Sequence, residues 1–129
     1  MSEAGPARAT RAARAVVAAL VALLCFDYLG WHLTRLSPPA ASLACVVGLA
    51  PWICVAPSLW RGERRRYAIA TLLTAPYLGY GVMEFLANRG ARTWALGLAL
   101  LSIVLFVALI GYLRLSRPAA AAPSARTAP

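Results

Sequence analysis

A chain of 129 residues that is 61% hydrophobic and 13% charged, with a mean hydropathy of +0.69, is too apolar to close as a water-soluble globule. A sphere of this size has too much outside for its inside, so the composition predicts a single membrane domain. The net charge of +9 comes entirely from arginine, and these arginines fall at the ends of apolar runs. That placement is what membrane topology requires, and it argues against nucleic acid as the partner that a pI near 10.8 would otherwise suggest.

Residues 1–14 form a basic N-terminal segment containing Arg8, Arg11 and Arg14, followed by an apolar run from Ala15 to Trp31. A basic region before an apolar one resembles a signal peptide. However, no small-x-small site followed by a hydrophilic mature region appears, and Leu24 before Cys25 argues against a lipoprotein. The expectation is an uncleaved first membrane helix.

The second run, Ala40 to Trp60, follows Pro38-Pro39, which suit a helix start. Pro51 and Pro57 inside it are expected to bend it, since each removes a backbone hydrogen bond.

Between the second and third runs stands Arg61-Gly62-Glu63-Arg64-Arg65-Arg66. Arginine costs about 2.5–3.5 kcal/mol at the bilayer centre, so this turn must lie in water or among headgroups. Arg61, Arg64, Arg65 and Arg66 are read as topology determinants, the alternative being recognition of anionic lipid headgroups at about 1 kcal/mol each.

The third run is Tyr67 to Ala87, with Pro76, Gly79 and Gly81 beyond its midpoint, and the fourth is Thr93 to Leu113. Runs two to four each hold 21 residues, which is about 31 Å of helix against a hydrocarbon core of about 30 Å. The segment 114–129 is Arg, Ser, Pro and Ala with nothing to bury, and reads as a disordered tail.

The fold class is therefore all-α: a polytopic membrane protein of four transmembrane helices arranged as two hairpins. Ten arginines gather on one side of the membrane and three on the other, Arg35, Arg89 and Arg92. The positive-inside rule then puts both termini in the cytoplasm.

Two carboxylates lie inside apolar runs, Asp27 and Glu84, both about 5–6 Å inside the outer boundary. Tyr28 and His32 share a helical face, as do Tyr77, Tyr80 and Glu84. A periplasm-facing polar cluster of Asp27, Tyr28, His32, Tyr80, Glu84 and Arg89 is the candidate site, suited to a cation, a proton or a lipid headgroup. The competing reading is that acids one turn from the surface reach outward, or pair with arginines, and only pin the helix ends.

Tyr28-Leu29-Gly30-Trp31 also echoes Tyr77-Leu78-Gly79-Tyr80, a pattern read chiefly as packing. His32 is the only histidine and the cysteines Cys25, Cys45 and Cys54 sit in apolar runs, so no metal site and no cofactor is expected.

Several short patterns carry a resemblance. They are Pro57-Ser58-Leu59-Trp60-Arg61-Gly62, Arg66-Tyr67, Tyr77, Gly81-Val82-Met83-Glu84, Leu101-Ser102-Ile103, Phe106 and Tyr112-Leu113-Arg114. The chain resembles the small bacterial inner-membrane proteins grouped as domain of unknown function two thousand and sixty-nine. That family has no assigned activity, so the resemblance implies architecture and location and adds no catalytic residue.

No nucleophile triad, phosphate loop or paired-carboxylate motif stands out, so a non-enzymatic structural or accessory membrane component is expected. The alternative is a small oligomeric transporter or channel. Expected partners are membrane lipids, a second copy, or another membrane protein. The last two would meet small-residue faces such as Ala44 with Gly48 or Ala95 with Ala99.

Overall fold

The computed structural model describes residues 4–117, with side chains from Ala7 onward. Four helices follow one another: α1 (Ala4–Arg35), α2 (Pro38–Arg61), α3 (Arg64–Ala87) and α4 (Arg92–Leu115). A single 3-10 turn, Arg89–Ala91, joins the last two. All four are long and apolar enough to cross a membrane.

Each helix overruns the apolar stretch that announces it. α1 begins at Ala4, so the basic segment from Arg8 to Arg14 is helical rather than a separate arm. Arg114 likewise belongs to α4. Hydropathy marks the part suited to lipid, whereas helical hydrogen bonding continues for as long as nothing interrupts it. The expected disordered tail lies outside the described residues from position 118 onward.

Stops and starts follow local chemistry. Pro38 and Pro39 occupy the first turn of α2, where their missing N–H groups would have no helical partner. α2 runs through Pro51 and Pro57 and ends at Gly62, which has φ +76° and ψ +24°. There the Gly62 N–H donates to the Leu59 carbonyl at 3.0 Å and the Glu63 N–H to the Ser58 carbonyl at 3.3 Å. These two bonds form a Schellman stop, which needs a left-handed residue and so favours glycine.

The four helices pack as a ring, with α1 against α2 and α4, and α3 against α4 and more loosely against α2. The buried stripe on α4 runs through Ala95, Leu98, Ser102, Leu105, Leu109 and Tyr112, with Ala99 buried beside it. Those on α3 fall at Tyr67, Ala70, Thr74, Tyr77 and Gly81, and those on α1 at Val17, Val21, Leu24, Tyr28 and Trp31. Alternating steps of three and four give a 3.5-residue period, the seam of helices packed knobs into holes.

The buried stripe is not the most hydrophobic one. Phe26, Val46, Leu72 and Met83 face outward, while Ala70, Thr74, Gly81 and Ser102 face inward. The inward hydroxyls bond within their own helices, Ser102 to the Leu98 carbonyl and Thr74 to the Thr71 carbonyl, each at 2.7 Å.

α3 and α4 make the most extensive interface because Gly81 lets backbones meet. A Cβ there would lie 3.0 Å from the Ala95 carbonyl oxygen and 3.0 Å from the Ala99 nitrogen. The α2–α3 seam is wider and is filled by aromatic rings, among them Trp52 and Tyr77 with centroids 5.9 Å apart. The small faces expected to be outward docking surfaces are therefore used inside this bundle. Ala95 and Ala99 are buried against Gly81, and Ala44 with Gly48 forms a cradle for two tyrosines.

Candidate functional site

The site is built from the aromatic pairs that the sequence echo marks. The Tyr28 hydroxyl of α1 donates to the Ala44 carbonyl at 3.1 Å. The Tyr77 hydroxyl of α3 donates to the Gly48 carbonyl one turn further along α2. The Tyr28 ring lies so close over Gly48 that any Cβ at that position would overlap it. The two tyrosines of the echoed segments thus brace α2 from both sides, with their rings edge to face at 6.0 Å.

One turn beyond Tyr28, His32 stacks on it with centroids 4.0 Å apart and is only 3% exposed. His32 Nδ1 lies 2.8 Å from the Tyr28 carbonyl oxygen, which can only accept, so the proton sits on Nδ1. In the neutral ring, Nε2 then carries a lone pair, and the Tyr80 hydroxyl at 3.2 Å donates to it. Trp31 completes the assembly by stacking on Tyr80 with centroids 5.3 Å apart.

Glu84 follows Tyr80 by one helical turn. It lines an open cleft of about 280 Å³ with His32, Arg35, Tyr80 and Asn88. The Asn88 side chain donates weakly to the Glu84 carboxylate at 3.5 Å and accepts from the Gly90 N–H at 3.2 Å. Arg35 donates to the Gly90 carbonyl, tying the end of α1 to the α3–α4 connection. Positive and negative side chains therefore share a half-open mouth beside a buried histidine, an arrangement that can hold a polar headgroup or relay a proton.

Of the six residues expected to cluster, Tyr28, His32, Tyr80 and Glu84 come together. Asp27 does not join them, because adjacent residues on a helix point about 100° apart. It faces α4, where its Oδ1 lies 2.8 Å from the point a Cβ on Gly97 would occupy. Its other oxygen, Oδ2, is buried with no hydrogen-bond partner among the described residues. Arg89 lies exposed in the 3-10 turn, and Arg35 lines the cleft in its stead. By sequence, Arg35 stands among the possible partners at the depth of the carboxylates and Trp31 only at the end of an apolar run. What would have found them is their four- and three-residue spacing from Trp31 to Arg35 and from Tyr28 to Trp31.

At the opposite end, Arg61, Arg64, Arg65 and Arg66 are all exposed around Gly62. The Arg14 guanidinium covers Gly62, the Tyr112 hydroxyl donates to the Gly62 carbonyl at 3.3 Å, and Tyr112 stacks on Tyr67 at 3.8 Å. The central turn is thus gripped by α1, α3 and α4 together.

Four membrane-length helices with buried aromatic braces and charged residues gathered at the ends define a polytopic α-helical membrane protein. The chain belongs to the family described as Predicted membrane protein (DUF2069), whose family model matches residues 12–117. No curated protein and no solved structure matches the chain.

Proposed function

We propose that this protein is a non-catalytic accessory or structural component of the bacterial inner membrane, built as two helical hairpins with both termini in the cytoplasm. The observation that carries the reading is the state of His32. Both ring nitrogens have partners inside the bundle, so the group best suited to chemistry at neutral pH acts as a cross-brace between α1 and α3. The orientation is supported by charge: nine arginines of the described residues accompany the turn at Gly62 and the outer ends of α1 and α4, and three accompany the other end.

The test has two arms. In a cysteine-free background, Ser116→Cys should be shielded from a membrane-impermeant maleimide in intact cells, and Ser37→Cys should label. Affinity purification of the intact chain from native membranes should then bring down a membrane protein in fixed stoichiometry. Labelling of position 116 from outside overturns the orientation, and recovery of the chain alone overturns the accessory role.

A second reading, a small oligomeric transporter or channel, is favoured by one observation. The Asp27 carboxylate has a buried oxygen without a partner among the described residues, in a helix long and apolar enough to span a membrane, and such groups mark proton or ion paths. Proton-coupled flux in proteoliposomes that is lost in both Asp27→Asn and Glu84→Gln would establish it.

A further inference from the structure

The basic end holds a cleft that the central turn does not explain. Arg64 and Arg65 at the start of α3 and Arg114 and Arg117 at the end of α4 line one cavity of about 470 Å³. These four side chains come from segments about 50 positions apart in sequence, and all four are exposed. Arg64 is steadied by donating to the Leu113 carbonyl at 3.3 Å, which turns its guanidinium toward α4.

Among the described residues no carboxylate lines the cavity. Glu63, the acid of the central turn, pairs instead with Arg66 at 3.7 Å. Four like charges converging repel one another, and an anion placed among them relieves that repulsion. Guanidinium forks match the oxygens of a phosphate two at a time.

The remaining wall is apolar: Ala68, Ile110 and Leu113. These residues lie on the membrane-spanning parts of α3 and α4, just inside the arginines. A free phosphate ion has no use for such a wall, whereas a phospholipid sets its glycerol and upper acyl carbons against it while its phosphate faces the arginines.

We propose that Arg64, Arg65, Arg114 and Arg117 form a binding site for the phosphate headgroup of an anionic phospholipid, seated between α3 and α4. The site is independent of the accessory reading and requires only that this end of the bundle meet a lipid surface. It enlists Arg114 and Arg117, which the sequence places merely beside a tail. It leaves out Arg61 and Arg66, which share the central turn and do not line the cavity.

The experiment uses the full-length protein purified in a neutral detergent, so that insertion direction has no influence. Phosphatidylglycerol is titrated in, with bound lipid counted by native mass spectrometry and phosphatidylcholine, whose choline cation balances its phosphate, as the net-neutral comparison. Arg114→Gln/Arg117→Gln should weaken phosphatidylglycerol binding about tenfold or more. Arg8→Gln/Arg11→Gln, which removes the same charge from the same end, should change it less than about twofold. Arg114→Lys/Arg117→Lys keeps the charge and serves if the glutamine pair fails to fold; it should weaken binding by at least about threefold, because the forks are lost.

Equal losses in the site pair and the Arg8/Arg11 pair would overturn the proposal in favour of a diffuse surface potential. Equal binding of phosphatidylcholine would overturn the role of charge. Displacement of the lipid by inorganic phosphate at millimolar concentration would make this a free-anion site and sink the lipid assignment. An unchanged affinity in the lysine pair would remove the bidentate recognition on which the site rests.

Discussion

The Arg14 guanidinium lies across Gly62, so close that a Cβ on the glycine would stand 2.7 Å from its central carbon. This relationship joins the first helix to the turn between the second and third. Gly62 is therefore required twice, once for its left-handed backbone and once for the room it gives Arg14.

Gly62→Ala should destabilise the bundle by about 1–2 kcal/mol from the backbone alone, with the displaced arginine adding to it. Arg14→Ala should relieve only the second part. Unfolding in mixed micelles, followed by circular dichroism, reads both. A Gly62→Ala protein as stable as the parent would mean that the turn does not hold its left-handed form.

Gly81 and Gly79, two residues apart on α3, should behave oppositely. A Cβ on Gly81 meets the backbone of Ala95 and Ala99 at 3.0 Å, and backbone cannot turn aside. Gly81→Ala should cost about 1–3 kcal/mol. A Cβ on Gly79 meets nothing within 4 Å, so Gly79→Ala should be neutral or stabilising by up to about 1 kcal/mol. Equal effects at the two positions would mean that α3 does not present this face to α4.

The His32–Tyr80 brace should appear as coupling. Tyr80→Phe keeps the ring stacked on Trp31 and removes only the hydroxyl that donates to His32 Nε2. In a double-mutant cycle with His32→Phe, the interaction should amount to about 0.6 kcal/mol and not exceed about 1.7 kcal/mol, the average and the maximum measured for hydrogen bonds between membrane helices. Additive single effects would show that the two side chains do not act together.

Asp27→Asn should leave stability unchanged or raise it by about 1–2 kcal/mol, since Oδ2 is buried without a partner among the described residues and the amide carries no charge to desolvate. A loss greater than about 1 kcal/mol would show that the carboxylate is held by a charged group beyond the described residues. That outcome would point to a partner meeting α1 and α4 near Gly97.

Much of the site was legible as spacing. Tyr28 with His32, and Tyr77 with Tyr80 and Glu84, share helical faces by arithmetic, and the structure puts these faces together. Asp27 was placed with them by depth alone, and depth says nothing of direction around the helix. The arginine cleft was illegible for a related reason: Arg64 and Arg114 become neighbours only through the pairing of α3 with α4.

The number of helices, the stretch of each that suits lipid and the crowding of arginines at particular ends follow from the sequence alone. Lipid against water is a difference each residue feels individually, and a run of 21 apolar residues records it directly. Which side of each helix turns inward was decided only by tertiary packing. Lipid tails are as apolar as leucine, so burying Leu72 gains little over leaving it in the bilayer, and hydrophobicity cannot mark the inner face. That face goes instead to residues that admit close approach or bond across the seam, such as Gly81, Ala95, Tyr28 and Tyr77, and these have meaning only once a partner helix lies opposite.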